Sequence, residues 1–522
     1  MDESRVPQQS VPDRDAADLF GVLSLACDAG IGLPAEHTLR VCHIACRLAA
    51  QMGLSATQQD DVYFTALLKD AGCTSWATQL ATFIATDEIP ARRDFLFSVD
   101  PSSKGQVLQW MLRYVGRELR PFDRALRVAG FMVHGRDFIR EGYLSAAEVA
   151  RRIAERLGLG IGVQEGVLGV CEQWNGAGMP RGLRGEAIPL AARIVFASVY
   201  AEVSHREGGR TAARRLLDER SGKAFDPAVV EAFMAAEQTS SFWPALEEDS
   251  AWETVLNSFP DQGNASSGPE LLEAIALTFA DFVDMKSHYL AGHSRRVAEL
   301  AEAITARLGL PPAETASVRR AALMHDLGLV AVPSFILNQP MGELGQDARR
   351  EVCTHVQYGA ELTRRAVPLR GEAELIAAHH PELDDAAVGR PPMGASIIAV
   401  ANRFDELTHD SAEGYAVTAE AALHMLREQA GDVFDPDVVQ ALSGTLGNGH
   451  ASASPAPPAG LTTREVEVLR MAAAGLSRKE IAQGLVLAES TVRHHLESIY
   501  SKLGVSTRVA AVLRAMEYGL LL

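Results

Sequence analysis

The chain has 522 residues, 47% of them hydrophobic, and a net charge of −18. That length exceeds what one core sustains and predicts about three domains, and the acidic balance argues against a surface that binds nucleic acid throughout. No run of eighteen apolar residues occurs, which excludes a membrane-spanning helix, and the polar opening MDESRVPQQSVPDRD does not read as a signal peptide. Six scattered cysteines (Cys27, Cys42, Cys46, Cys73, Cys171 and Cys353), with no CxxC pattern, read as buried thiols of a reducing cytoplasm.

Two stretches are small, polar and rich in Pro and Gly, as flexible connectors are: NSFPDQGNASSGP from Asn257 and GNGHASASPAPPAG from Gly447. They divide the chain into 1–256, 270–446, a linker at 447–460, and 461–522. The first two pieces have helical periodicity and Ala/Leu/Arg/Glu content almost throughout. They also repeat each other. HTLRVCHIA from His37, LLKDAG with Asp70, SAAEVARRI from Ser145 and AFDPAVVEAF from Ala224 return as HSRRVAELA from His293, LMHDLG with Asp326, YGAELTRRA from Tyr358 and VFDPDVVQAL from Val433. The His-to-Asp separation is 33 residues in both copies, so the pieces are predicted to be two copies of one all-helical unit. The longer segment Ser75 to Phe138 of the first copy carries Trp76, Phe83, Phe95, Phe97, Trp110 and Tyr114, a composition of core rather than of a ligand pocket.

The second copy carries His293, His325 with Asp326, His355, and the pair His379 and His380. Imidazole and carboxylate groups suit divalent transition metals, and two ions would hold a phosphodiester and activate a water. With the context DMKSHYLAGHSRRVAELAEAITARLGL and RRAALMHDLGLVAVPSFIL, this segment resembles the HD superfamily of phosphohydrolases, specifically the HD-GYP branch that hydrolyses cyclic di-GMP. The resemblance implies a metal set of His293, His325, Asp326, His355, His379 and His380, with Asn402 at the position of a late ligand and iron, manganese or zinc as the ion. His325 and Asp326 would be the catalytic positions if the site were active. Three departures predict metal binding without useful turnover, and one ion rather than two. HHPELDDAAVGRPP lacks the GYP word, Asn402 in VANRFDEL replaces an Asp, and Leu329 replaces a Lys.

The first copy is eroded in the complementary way. EQWNGAGMPRGLRGEAIPLAARIV, Glu172 to Val195, resembles the GYP loop with Met179 for Tyr. Lys69 stands at the HD histidine, Val170 and Cys171 at the paired histidines, Gly142 at the third His slot and Ser198 at the late Asp. Only His37 and Asp70 remain, so this copy is expected to hold no catalytic metal.

The last segment, LTTREVEVLRMAAAGLSRKEIAQGLVLAESTVRHHLESIYSKLGVSTRVAAVLRAMEYGLLL, forms four short helical blocks. Thr462 with Glu465, and Ser477 with Glu480, are capping boxes, and Gly475 and Gly504 are helix C-caps. The pattern closely resembles the LuxR/NarL-type helix-turn-helix domain. That resemblance implies DNA contacts from Lys479, Thr491, Arg493, His494, His495 and Lys502, with Arg493 and His494 on base edges and Lys502 on the backbone. Ala488 stands where the family has a hydroxyl cap, and Glu497 puts a carboxylate on the groove side. Val509, Val512, Leu513 and Met516 make an apolar stripe on the last helix, Thr507 to Tyr518, and the resemblance implies pairing of two chains there. Eight Lys and Arg against six Glu leave this segment at +2 and the rest of the chain at −20.

The expected fold class is all-α: two tandem HD-superfamily-like domains, then a four-helix LuxR-type domain. The order resembles HD-domain LuxR regulators of actinobacteria. The expected function is a cytoplasmic, homodimeric, DNA-binding transcriptional regulator whose HD-type units sense or transmit, with duplex DNA and a nucleotide as partners. The alternative is a metal-dependent phosphohydrolase, acting on cyclic di-GMP or a nucleotide, coupled to a DNA-binding domain.

Overall fold

The computed structural model describes residues 14–99, 104–247, 251–260, 268–381, 391–412, 414–447 and 458–521. Most of both connectors (261–267 and 448–457), the stretch after the paired histidines (382–390) and the Phe97 side chain lie outside the described residues. Helices form the whole framework, and no strand occurs among the described residues.

The repeated words become matching helices. His37–Gln51 and Ala56–Leu68 correspond to His293–Leu308 and Pro312–Met324. The 3-10 turns Cys73–Trp76 and Leu327–Ala331 follow, and the late helices Leu190–Glu219 and Met393–Thr408 match in turn. The start of each first helix is fixed by a carboxylate ten residues before its capped position. Asp28 accepts from the backbone N–H and hydroxyl of Thr38, and Asp284 from those of Ser294, with both hydroxyl contacts at 2.7 Å. A carboxylate at a helix N-terminus satisfies free N–H groups and complements the dipole. The residue before each helix is left-handed: Gly292 at φ 76 in the second copy, but Glu36 at φ 64 in the first. A non-glycine residue there is strained. The Glu36 carboxylate is held by the Ala251 N–H (2.6 Å) and by Arg365 (2.8 Å).

One apolar core runs from Ala16 to Leu442 through both copies. Helix Arg14–Ile31 explains why. It is buried on nearly every face, as a helix apolar all round must be, and it packs between the copies. Asp18 accepts from the Val367 N–H, and Glu88 accepts from the N–H of Ser334 (2.7 Å), so carboxylates of the first copy cap backbone of the second. The aromatic segment makes a satellite cluster around Trp110, Tyr114 and Phe131, with Phe83 stacked on Phe138 at 4.1 Å.

The C-terminal segment has its own core, built on Val468, Leu469, Ile481, Val492, Leu496 and Ile499. Both capping boxes form, Gly475 and Gly504 take the left-handed C-cap conformation, and Ala488 caps nothing with its side chain. The last helix, Arg508–Glu517, lies on the body. Leu513 enters the main core and Val509 packs against it. Arg156 reaches both Asp281 (2.6 Å) and Glu517 (2.8 Å), and Glu148 accepts from the Ser506 N–H and the Thr507 hydroxyl. The stripe expected to pair two chains is therefore covered in this arrangement: Leu513 and Met516 are buried, Val509 and Val512 half-buried. A small four-helix unit exposes more apolar surface than it can bury alone, and the body supplies the cover.

Arg156 sits at the junction of both copies and the C-terminal unit. Its removal leaves the buried Asp281 with Arg295 as its remaining cation. Arg156→Ala is expected to lower stability by about 2–3 kcal/mol in denaturant unfolding. Amide exchange should rise more in Arg508–Glu517 than in Thr463–Ala473. Equal exchange in the two helices would show that this contact does not hold the unit down.

Candidate metal centre and nucleic-acid face

Backbone geometry aims three of the histidines. The Nδ1 atoms of His325, His355 and His379 lie 2.7 Å from the carbonyl oxygens of Ala322, Val352 and Ile376, each three residues back. A carbonyl only accepts, so Nδ1 carries the proton and Nε2 keeps the lone pair. His293 is oriented by a side chain instead, its Nδ1 lying 2.7 Å from Asp405 Oδ2. Four Nε2 atoms are thus aimed by partners outside the ligand set, as metal-binding imidazoles are.

Three of these Nε2 atoms converge on Asp326. Its Oδ2 lies 3.4 Å from His325 Nε2 and 3.6 Å from His293 Nε2, while its Oδ1 lies 3.3 Å from His355 Nε2. Two ligand triads result, His293–His325–Asp326 and His355–His379–His380, each with donor atoms within 4.8 Å of one another. The Asp326 carboxylate stands between them with one oxygen toward each. Two observations test the fit to a cation. His293 Nε2 and His325 Nε2 are 3.3 Å apart, bridged by the proton that His293 carries without a metal, and a bound cation would take that proton's place between the two lone pairs. His379 Nε2 and Asn402 Oδ1 are buried with no hydrogen-bond partner among the described residues, whereas buried polar atoms ordinarily find one. The donor set is imidazole-rich with a bridging carboxylate, which suits iron, manganese or zinc.

The electrostatics favour ligation. Burial lowers His325 to about 4, against the pull of Asp326, and burial with neighbouring imidazoles holds His379 well below its ordinary value. Both are neutral near pH 7 and need lose no proton to bind. Burial works to raise Asp326, but His325, His355 and His293 hold it well below the carboxylate range. His293 goes the other way, to about 9. Burial opposes this, and the bond and charge of Asp405 outweigh it, aided by Asp326 and Asp284.

The residues that orient His293 were not singled out in the sequence. Asp405 binds His293 and is gripped by Arg296 at 2.7 and 2.9 Å. The first copy repeats the arrangement: Glu202 takes His37 at 2.7 Å and Arg40 at 3.1 Å. The signal was present, since HxxR and a late acid recur in both copies. Burial works to raise Glu202, but the bond from His37 and the charges of His37 and Arg206, with a bond from Arg40, bring it to about 2.

Around that shared frame the described residues of the first copy form no group of three possible metal ligands. Lys69 is ion-paired with Asp70 at the place of His325 and Asp326. Two sequence correspondences are corrected. A Cβ on Gly72 would meet the Ala146 carbonyl at 1.9 Å, and one on Gly328 would meet the His355 carbonyl at 1.9 Å. Ala146, not Gly142, therefore occupies the third His slot. Counting back from the acid, Val199 rather than Ser198 matches Asn402; Ser198 bonds the Ile194 carbonyl within its own helix. The first error is one helical turn, the slip to which a word match between helices is prone. Each copy keeps a cavity, of about 110 Å³ beside Lys69 and about 190 Å³ beside Asp326. Leu329 lines the second, where the resemblance expects Lys.

On the C-terminal unit, helix Glu489–Leu503 presents Arg493 and His494 to solvent, 59% and 71% exposed. Lys479 is exposed, and Thr491 and His495 are half-buried. Glu497 lies 3.4 Å from Arg493 and 3.5 Å from His494, an exposed cluster of little strength. Lys502 is drawn inward. Its ammonium bonds Glu465 at 2.6 Å, and the same carboxylate takes Thr462 and Ser498. Lys502 therefore ties helix Glu489–Leu503 to helix Thr463–Ala473.

Comparison with known proteins agrees with both regions. Residues 140–229 and 278–438 match the HD domain family, and residues 459–515 match the bacterial regulatory proteins of the luxR family. The 3'3'-cGAMP-specific phosphodiesterase 3 of Vibrio cholerae is 31% identical over 436 residues, covering 82% of this chain and 94% of the relative. The probable transcriptional regulatory protein NarL of Mycobacterium tuberculosis is 33% identical over 172 residues, 28% of this chain and 78% of the relative. A crystal structure of a cyclic GMP-AMP-specific phosphodiesterase from Vibrio cholerae superposes with a TM-score of 0.57 at 29% identity, covering 83% of this chain and 97% of that one.

Glu465 generates a pH prediction. Burial works to raise it, but bonds from Lys502, Ser498 and Thr462 lower it from 4.5 to about 2. A depressed carboxylate stabilises fully above its unfolded value and loses that contribution as pH falls through the folded one. Glu465→Gln is expected to cost roughly 2 kcal/mol at pH 7, and its stability gap from wild type should close between pH 4.5 and about 2. A gap independent of pH would show that the charge plays no part.

Proposed function

Since this chain belongs to the HD-domain family and ends in a luxR-family DNA-binding domain, we propose that it is a transcriptional regulator whose second HD-type unit binds two divalent metal ions and, against them, a phosphodiester-bearing nucleotide. The observation that carries this reading is the Asp326 carboxylate, with one oxygen toward His293 and His325 and the other toward His355 in the His355–His379–His380 triad. His293, His325 and one Asp326 oxygen would hold one ion, with the Asn402 carbonyl oxygen beside them. His355, His379, His380 and the other Asp326 oxygen would hold the second. The sequence favoured a single ion because Asn402 lacks a charge, but the second triad is complete without Asn402. When bound, such a pair supplies Lewis acidity and a water acidic enough to attack a phosphodiester. The chain's own residues do the rest. Asp405 and Arg296 keep His293 in its ligating tautomer, and the buried neutral His325 and His379 offer their lone pairs near pH 7. Leu329 brings no proton donor to the cavity, so binding outlasts hydrolysis.

A second reading has its own support. Two groups of three possible ligands persist, and the relative that spans most of this chain is named as a 3'3'-cGAMP-specific phosphodiesterase. In that reading the unit hydrolyses a cyclic dinucleotide with His325 and Asp326 at the catalytic positions. In both readings DNA is engaged by the exposed face of Glu489–Leu503 and by Lys479.

Elemental analysis of the purified chain is expected to find two ions, and His379→Ala about one. No metal, with thermal stability unchanged in His325→Ala, defeats the proposal. With 3'3'-cGAMP or cyclic di-GMP, binding without steady turnover is expected. Turnover that disappears in His325→Ala would establish the second reading instead. For DNA, Arg493→Ala should cost about 1–3 kcal/mol at the preferred site and relax specificity there. Unchanged affinity in mobility shifts would remove Arg493 from the base-reading set.

A further inference from the structure

An asparagine at a ligand position has to be turned the right way. Only its Oδ1 can face a cation, since Nδ2 carries two hydrogens and no lone pair to offer. Asn402 Nδ2 donates to Glu406 Oε1 at 3.2 Å, one turn further along the helix Met393–Thr408. A carboxylate accepts and does not donate, so this partner decides which end of the amide points away from it. The end left over, Oδ1, is buried with no hydrogen-bond partner among the described residues. Asn402 also stands one turn before Asp405, so the two side chains share a face of the helix, and Asp405 holds His293. The free oxygen is thus on the side of the helix that carries a ligand of the first triad.

Glu406 is itself held. Its second oxygen, Oε2, accepts from Arg403 at 3.1 Å, and it borders the cavity beside Asp326. The guanidinium offsets the field of this carboxylate at longer range. What remains is local: the amide is oriented, and its oxygen is made more negative by the bond at its other end. The first copy supplies a comparison within the same chain. Counting from the shared acid, Asp405 and Glu202, Asn402 corresponds to Val199 and Glu406 to Val203. Neither valine side chain donates or accepts. The amide and its acceptor are therefore present together where the ligand triads stand and absent together where they do not.

We infer that Glu406 is a positioning residue of the metal centre. It turns Asn402 so that Oδ1 joins His293, His325 and Asp326 around their ion, and the Asn402–Glu406 pair takes the place of a carboxylate ligand. The inference rests on the metal reading given above and adds the residue that lets a neutral amide serve in it. Glu406 acts through Asn402, with the negative charge moved one hydrogen bond back from the ion.

The test uses the full chain, stripped with chelator and titrated calorimetrically with manganese(II) and, separately, with zinc(II). The unmutated chain is expected to bind two ions. Glu406→Ala should weaken one of them by about ten- to a hundredfold and leave the other in place. Glu406→Gln still offers the amide a carbonyl oxygen and should stay within about threefold of the unmutated chain. Asn402→Asp needs no orienting partner, so Glu406→Ala added to it should change the affinity by no more than about twofold. An equal loss in the Asn402 and Asn402→Asp backgrounds would show that Glu406 acts by charge or by helix stability, and overturns the inference. Two ions bound with unchanged affinity in Glu406→Ala overturn it as well, and leave the metal reading standing. No binding of either ion by the unmutated chain defeats the metal reading, and this inference with it.

Discussion

A buried carboxylate held between an imidazole and a guanidinium organises each half of this molecule. Asp405 takes the Nδ1 proton of His293 and the fork of Arg296, and Glu202 does the same with His37 and Arg40. A lone carboxylate at such depth would be costly, and two cationic or donating partners make it stable and rigid. The consequences run outward. In the second copy the acid fixes which His293 nitrogen faces Asp326, and so sets the shape of the two triads. Arg296 also reaches the Ala291 carbonyl at 2.9 Å and the Leu521 carbonyl at 3.4 Å. The group that orients His293 thus touches the chain just beyond the last helix. Tyr289 and Leu290, which line the same cavity, sit in the turn whose His288 meets Gly475. The C-terminal unit rests on the rim of the site.

Much of this was legible in the sequence, and the reasons differ by region. The C-terminal unit was readable in detail because its helix ends are written in local chemistry: Thr462 with Glu465, Ser477 with Glu480, and glycine at 475 and 504. The histidines of the second copy were readable as a set, but their division into two triads was not, since it depends on where the helix His355–Arg364 and the turn at Leu327–Ala331 cross. Asp405 and Arg296 escaped notice because a charged residue in a helical word ordinarily reads as solvated face. Only the tertiary contact reveals that both are buried. The slip from Ala146 to Gly142 has the same root, as helical words look alike when shifted by one turn. The apolar stripe of the last helix was read as a surface on which two chains pair. Its partner proved to be the helix Pro121–Arg156 of the same chain.

The two copies have kept complementary parts of one design. The second retains the donor atoms and has Leu329 where the family expects a cation. The first retains a loop anchored on the Glu172 carboxylate and a cavity but carries its positive charge on a side chain. A donor set of imidazoles and a carboxylate gains charge only from an ion, by an amount that grows with the logarithm of its free concentration, whereas Lys69 is always present. The continuous core joins the two halves.

The way the C-terminal unit is moored has a consequence for ionic strength. Its contacts with the body include partly exposed charges, Arg156 with Glu517 and Glu148 with the start of the last helix, and added salt screens such contacts. The same salt weakens phosphate contacts to DNA, steeply. A unit moored on an acidic body brings that body's repulsion toward an acidic polymer, and salt screens the repulsion and the phosphate contacts alike, with opposite effects on binding. At low salt the repulsion opposes binding, and at high salt the DNA contacts fail. The apparent affinity for DNA then peaks at an intermediate ionic strength instead of falling steadily, a shape that a freely tethered helix-turn-helix unit would not give.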